Sequence, residues 1–211
     1  MYRRCTTEKS AQQQRILEQC LLEAMLTTPF HDITVSGLCE HASLSRKTFY
    51  RLFDKKEDLL EALIDHTLLD IESFHPDPSI KKGGLHRFFA YWKSQHKLLE
   101  ALLCNGIYPL LWERAILHTL RESPDILSVF GADHDEFTRE IVLFYLSGLF
   151  MLILDWHTEG YKRSIDDMCR FVMRIMTTAP AKGPLKTDPY SDSNAWENGI
   201  YHPERAKKDL P

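Results

Sequence analysis

Apolar side chains recur at helical spacing along most of this chain. In the first 26 residues they fall three and four apart on one side of a predicted helix, beginning near Ser10. The same spacing returns between Leu59 and Ile71, where Pro76 and Pro78 end a second long helix and mark a seam. The pattern therefore predicts an all-α protein.

The second half of the chain continues this helical pattern. Three helices follow Leu85, with breaks near 95–96 and 105–106, and a longer one spans about 135–158. That helix is apolar on nearly every face in its second half, so it needs neighbours all round. A last helix, about 164–177, has one apolar face and completes about nine helices in all. These last two helices carry more apolar surface than one subunit can cover, which predicts a homodimer through 135–158 and 164–177.

Between these long helices, Ile33 to Lys56 predicts two short helices separated by a polar turn. Thr34 and Ser45 are suited to cap the amino termini of the two helices, because their hydroxyls can accept a bond from a free backbone N–H. In the second short helix the inward positions are held by apolar side chains, Phe49, Leu52 and Phe53.

The opposite side of the second short helix is cationic, with Arg46, Lys47 and Arg51 beside Tyr50. A short helix with this outer face fits the major groove of DNA, where Arg or Lys on guanine is the commonest specific contact. The segment predicts a helix-turn-helix in which Arg46 and Lys47 reach base edges. Thr48 and Arg51 are suited to a thymine methyl or a phosphate. Thr34 and Ser36 can offer hydroxyls to a phosphate. The alternative is a set of solvated charges on a small helical unit.

In this segment the chain resembles the TetR family of bacterial transcriptional regulators. The matching positions are Ile33-Thr34-Val35, Ala42-Ser43-Leu44-Ser45, Thr48-Phe49-Tyr50 with Phe53, and Lys56-Glu57-Asp58-Leu59-Leu60. Two positions depart from the family pattern, since Ser43 replaces the usual glycine of the turn and Cys39 replaces a small alanine. A serine in a left-handed turn predicts local strain.

The resemblance implies a helix-turn-helix domain over 1–54, joined through a shared fourth helix to a ligand-binding and dimerisation domain over 55–177. It also implies backbone contacts for Tyr50 and Lys56. Residues 178–211 hold five of the ten prolines and predict a mobile tail. The complete set of predicted DNA contacts is Thr34, Ser36, Ser45, Arg46, Lys47, Thr48, Tyr50, Arg51 and Lys56.

The composition of the chain indicates how its charge is distributed and in which compartment the protein resides. The net charge of the 211 residues is −4, yet five of the 26 Lys and Arg lie within 46–56, as expected for a small DNA footprint on an acidic body. The five cysteines are scattered without a C-x-x-C pair, which predicts reduced thiols in a cytoplasmic protein. The most apolar run, 141–154, is too short to span a bilayer, so no membrane contact is expected.

Aromatic residues are concentrated in the second half of the chain. Their number, together with the resemblance, predicts a site for a small apolar or aromatic ligand that releases DNA when it binds. The alternative is that these side chains only fill the core. The predicted ligand residues are Phe88, Trp92, His96, Tyr108, Trp112, Phe144 and Tyr145, and Trp156 belongs to the same aromatic set.

Neither a metal centre nor catalysis is predicted. The acidic stretch 133–136 cannot aim four consecutive side chains at one ion, and no phosphate-binding, zinc-protease or nucleophile motif is present. We therefore expect no cofactor and a non-enzymatic function, a repressor released from a palindromic operator. The alternative is a helical adaptor or co-regulator that acts mainly through a protein partner, for example through 190–201.

Overall fold

The computed structural model describes residues 7–74, 83–122 and 138–177. This part of the chain contains nine α-helices and no strand, so the predicted all-α class is confirmed. The helices are α1 Glu8–Met25, α2 Val35–His41, α3 Arg46–Leu52, α4 Lys56–Ser73, α5 Gly84–Ser94, α6 His96–Cys104, α7 Tyr108–Glu122, α8 Thr138–Thr158 and α9 Ile165–Thr177, with a 3-10 helix at Phe30–Asp32 between α1 and α2.

The first three helices form the predicted helix-turn-helix unit. Helix α1 packs against α2, and α2 packs against α3. The apolar positions that the sequence placed inward are buried here, among them Leu17, Leu21, Leu38, Phe49 and Phe53. Because these side chains are spaced for one face of each helix, their burial fixes how α1, α2 and α3 pack on one another.

The turn between α2 and α3 is a helix C-terminal motif with a left-handed residue. Ser43 has φ of 52°, and the Leu44 N–H donates to the Cys39 carbonyl at 2.8 Å while the Ser43 N–H donates to Glu40. This bonding pattern normally carries glycine at the left-handed position, because a Cβ there is strained. The strain predicted at Ser43 is therefore located in the structure.

Replacing Ser43 with glycine is expected to stabilise the helix-turn-helix unit by about 1 kcal/mol, since the left-handed conformation costs an L-residue roughly that much. The gain is reduced by the larger unfolded-state entropy of glycine. Thermal and chemical denaturation of the Ser43→Gly variant would measure it. A matched Ser36→Gly substitution inside α2, where φ is ordinary, should destabilise the protein instead. A fall in stability for Ser43→Gly would contradict this account.

Helix α4 is shared between the helix-turn-helix unit and the body, as predicted. On one side it packs against α1, where His66 contacts the buried Glu18 at 2.7 Å. On the other side it packs against α7, where the Arg114 guanidinium pairs with Asp65 and lies 3.1 Å from Glu61. Polar bonds on both sides of α4 therefore connect the helix-turn-helix unit to the body.

The body consists of α5 to α8 packed around buried aromatic and aliphatic side chains. Helix α8 contacts α5, α6 and α7. Within it, Arg139–Thr158 is long and apolar enough to cross a membrane by length and composition, and 39% of that stretch is buried against the rest of the described residues. Core helices of water-soluble proteins share these properties, and the exposed remainder leaves an uncovered apolar face.

The pattern of contacts divides the chain into two units, Met1–Cys169 and Arg170–Pro211, with the boundary inside α9. The described part of the second unit is the carboxyl-terminal portion of α9, which ends at Thr177. Three of the sequence predictions lie outside the described residues: the seam at Pro76 and Pro78, the acidic stretch 133–136 and the tail 178–211.

Candidate nucleic-acid interface

The amino termini of α2 and α3 are both capped by the hydroxyls that the sequence singled out. Thr34 Oγ1 accepts from the Gly37 N–H at 3.1 Å, and Ser45 Oγ accepts from the Thr48 N–H at 3.1 Å. Thr34, Ser36 and Ser45 are exposed. Because the caps define where each short helix begins, they also define which side chains point outward.

Helix α3 separates an apolar face from a cationic one. Phe49 is fully buried, and Leu52 and Phe53 are nearly so. The Phe49 and Phe53 rings pack with their centroids 5.5 Å apart. Helix α3 packs against α2, and its other face is turned to solvent.

On that outer face the predicted DNA contacts lie together. Arg46, Lys47 and Arg51 are exposed, and Tyr50 is 44% exposed. The Arg46 guanidinium carbon lies 5.9 Å from the centre of the Tyr50 ring. Five of the nine predicted residues line a concave surface that encloses a volume of about 420 Å³. They are Ser45, Lys47, Thr48, Tyr50 and Arg51.

Arg51 has an intramolecular partner that the sequence did not predict. One of its terminal nitrogens donates to Gln13 Oε1 on α1 at 2.6 Å. A guanidinium carries five N–H donors, so this bond orients the side chain and leaves donors for a phosphate or base. Arg51 is therefore positioned by α1 before any nucleic acid arrives.

Lys56 is placed differently from the other predicted DNA contacts. Its ammonium donates to the carbonyls of Phe30, His31 and Ile33 at 2.7, 2.8 and 2.8 Å, and it lies 4.8 Å from the Phe30 ring centre. An ammonium has three donors, so all of them are used within the protein. A direct phosphate contact by Lys56, implied by the resemblance, requires at least one of these bonds to break.

The seven predicted ligand residues differ in burial and in the contacts that they make. Trp92 is buried and packs edge-on against Phe88 and Phe150, with ring centroids 6.4 and 5.3 Å apart. Tyr145 is half-buried beside Phe144, whereas His96 is exposed. Three other members of this predicted set are also exposed, Tyr108 (39%), Trp112 (39%) and Phe144 (74%).

The aromatic residues of α7 and α8 lie in different environments. Trp112 reaches from α7 to α8, where its indole N–H donates to Ser147 Oγ at 3.1 Å. Phe144 is exposed at the surface, whereas Trp92 is buried. Trp156 is buried in another aromatic group and donates to the Arg163 carbonyl at 2.9 Å.

Among the residues that the structure describes, no group of three or more His, Cys, Asp or Glu side chains is arranged to hold a metal ion. Among the described cysteines, Cys20 and Cys39 are buried thiols. Burial raises the pKa of each of these two thiols, which keeps them protonated and unreactive at neutral pH.

Comparison with known proteins supports the helix-turn-helix assignment. A curated relative, the HTH-type dhaKLM operon transcriptional activator DhaS of Lactococcus lactis subsp. lactis (strain IL1403), is 27% identical over 70 residues. That alignment covers 33% of this chain and 37% of the relative, so the chain matches little more than a third of that protein's length.

A solved structure extends the likeness to the fold of the body. The dihydroxyacetone kinase operon activator DhaS superposes with a TM-score of 0.53 over 78% of this chain and 93% of its own, at 14% identity. Residues 22–63 match the family described as "Bacterial regulatory proteins, tetR family", and they contain α2 and α3. Within residues 22–63, this chain is therefore similar to the tetR family of bacterial regulatory proteins.

Proposed function

We propose that this chain is a homodimeric, sequence-specific DNA-binding transcriptional regulator in the cytoplasm whose DNA affinity is controlled by a small molecule. The observation that carries the proposal is the two-sided character of α3. Phe49 and Leu52 are buried, while Arg46, Lys47, Tyr50 and Arg51 are exposed, the last three of them on a concave surface. A symmetric pair of such helices would read two half-sites about one helical turn apart, near 34–36 Å.

Selection from a random-sequence duplex library, followed by a mobility shift with the enriched duplex, would test this function. We expect an inverted repeat whose half-sites lie about 10 base pairs apart. Failure to enrich any sequence would contradict the proposal. A reporter driven through the selected site would give the sign of regulation. Repression stays a prediction, because the relative is named as an activator.

An uncovered apolar stripe on α8 supports the homodimer. Phe144 and Met151 are 74% and 59% exposed and lie seven residues apart, with the exposed Gly148 between them. A Cβ added at Gly148 would meet nothing within 4 Å, so a partner helix could approach the backbone there. In helix α9, the side chains of Phe171 and Ile175 are exposed one turn apart.

Replacing Phe144 with aspartate is expected to weaken dimerisation by at least about 30-fold, because a central aromatic contributes about 2 kcal/mol or more to an interface. The change occurs twice in a symmetric dimer, so the loss could be larger. Sedimentation equilibrium would measure it. Leu69→Asp on α4 is the matched control, since Leu69 is also exposed, at 44%, but lies outside the stripe. Equal dimer stability in both variants would remove α8 from the interface.

The indole of Trp92 supports a ligand site in the body. Its N–H is a buried donor with no hydrogen-bond partner within the described residues. Leaving such a group unpaired costs about 1–3 kcal/mol, a penalty that an arriving acceptor would remove. With Phe88 and Phe150 beside it, the group favours an apolar ligand that carries a carbonyl or ether oxygen.

Thermal shifts with matched pairs of compounds would test the ligand proposal. Each pair would share one apolar skeleton, with and without an acceptor oxygen. We expect only the acceptor-bearing members to stabilise the protein, and we expect Trp92→Phe to remove that difference. A preference that persists in Trp92→Phe would place the ligand elsewhere. The adaptor alternative rests on 190–201, outside the described residues, and no observation favours it.

A further inference from the structure

The side chain of Asn105, at the carboxyl end of α6, joins the body to the helix-turn-helix unit. Its Oδ1 accepts from the Phe30 N–H at 2.6 Å, and its Nδ2 donates to the Met25 carbonyl at 3.0 Å. The second Nδ2 donor is used by the Ala101 carbonyl of its own helix at 2.7 Å. One amide therefore ties α6 to the last residue of α1 and to the start of the 3-10 helix.

The same 3-10 helix is held from its other side by Lys56. The Lys56 ammonium accepts no bond and donates three, all to carbonyls between Phe30 and Ile33. Phe30 is thus bonded through its N–H to Asn105 and through its carbonyl to Lys56. Ile33 immediately precedes Thr34, the cap of α2, so the orientation of this segment sets where α2 begins.

We propose that Asn105 and Lys56 form a clamp on residues 26–33. We propose further that Asn105 is the link through which a displacement of α6 reaches α2 and α3. In this proposal Lys56 is a positioning residue and its contribution to DNA binding is indirect. The regulatory part rests on the proposed function, because it takes a ligand in the body as the cause of the displacement.

Two physical features favour the clamp. Asn105 is followed by Gly106, whose φ of 65° ends α6, so any change in the last turn of α6 moves the amide directly. The Lys56 bonds are ion–dipole bonds to three carbonyls, and charge-assisted bonds are about twice as strong as neutral ones. A segment held on one side by the body and on the other by α4 cannot rotate unless one of these sets of bonds breaks.

Amide hydrogen exchange on the full chain tests the clamp without DNA. In Asn105→Ala we expect the Phe30 N–H to exchange about tenfold faster, since one part-buried bond is lost. The sharper expectation is the cross effect: Asn105→Ala should also speed exchange at Ile33, and Lys56→Met should speed it at Phe30. Gln95→Ala, which removes the amide at the end of α5, and Lys55→Met, which removes the neighbouring charge, are the matched controls.

Exchange in α5 separates a local loosening from global destabilisation, because the clamp variants should leave it unchanged. If Asn105→Ala and Lys56→Met loosen only their own contacts, with no cross effect, the clamp is overturned. The same holds if exchange rises equally throughout the protein.

A DNA measurement tests the positioning role of Lys56. With the duplex selected by the wild type, both clamp variants should bind about tenfold more weakly while the salt dependence stays as in the wild type. A phosphate contact predicts instead that Lys56→Met reduces the salt slope by about two per dimer, which would overturn the positioning role. If the wild type selects no duplex, the proposed function fails, and the exchange experiment still decides the clamp.

Discussion

Replacing Phe49 with alanine is expected to lower the free energy of unfolding of the helix-turn-helix unit by about 3–5 kcal/mol, the usual cost of removing a fully buried aromatic ring. Phe49 is 0% exposed and packs on Phe53, and it is the central apolar contact of a helix only seven residues long. So short a helix is not stable in isolation, and its structure depends on packing. The variant should therefore lose DNA binding together with stability.

Tyr50→Ala is the matched control for this prediction. Tyr50 follows Phe49 in sequence, but it faces solvent, so its truncation should change the unfolding free energy by less than about 0.5 kcal/mol. We expect it to weaken DNA binding while the fold is kept. Chemical denaturation of both variants would measure the stabilities. Similar losses for Phe49→Ala and Tyr50→Ala would mean that α3 is not seated as described.

The sequence was sufficient to predict features that depend on neighbouring residues. The sequence predicts Thr34 and Ser45 as caps, and in the structure each hydroxyl accepts a bond from a backbone N–H of its helix. The same local chemistry is seen where Gly160, with φ of 66°, follows the end of α8, and where Ser164 and Asp167 cap α9. Caps and apolar stripes act over three or four residues, so their pattern is legible without the fold.

Features that join distant parts of the chain could not be predicted in this way. Lys56 bonds to carbonyls 23 to 26 residues earlier, and Asn105 bonds to Phe30 across 75 residues. The sequence marked 105–106 only as a helix break. The amide that ends α6 became a candidate functional residue once the fold placed it beside α1, because nothing in its own neighbourhood indicates a partner.

Phe144 illustrates a different limit. On a helix that is apolar nearly all round, spacing does not tell which face meets the body and which faces solvent or a second copy. The sequence grouped Phe144 with Trp92 as a ligand residue, whereas the structure leaves Phe144 74% exposed and Trp92 buried. The dimer proposal now rests on that exposed side chain, and the ligand proposal on the buried indole.

DNA binding by this protein is expected to weaken about a thousandfold as monovalent salt rises from about 50 mM to about 200 mM. Arg46, Lys47 and Arg51 lie exposed on the outer face of α3. Six such cations in a symmetric dimer would release condensed counterions with a log–log slope of about −5. The net charge of −4 for the whole chain does not oppose this, because the slope reports local phosphate contacts.

Single substitutions would divide this slope among the three cations. Lys47→Ala removes two contacts per dimer, so the slope should shrink by about two, with affinity for every duplex reduced alike if Lys47 binds phosphate. Arg46→Ala should also relax preference at one base pair per half-site, by about 1–3 kcal/mol, if Arg46 reads a base edge. Tyr50→Phe removes a hydroxyl without changing charge and should leave the slope unaltered.

Titration of each variant at several salt concentrations, with the selected duplex and a scrambled one, would separate these roles. A slope unchanged by Lys47→Ala and Arg46→Ala would place the DNA contacts away from α3. Lys56→Met is informative beside them, because its ammonium is already bonded to three carbonyls. If the slope falls for Lys47 and not for Lys56, then cations that face outward from α3 bind the nucleic acid, and Lys56 acts by holding the segment that begins α2.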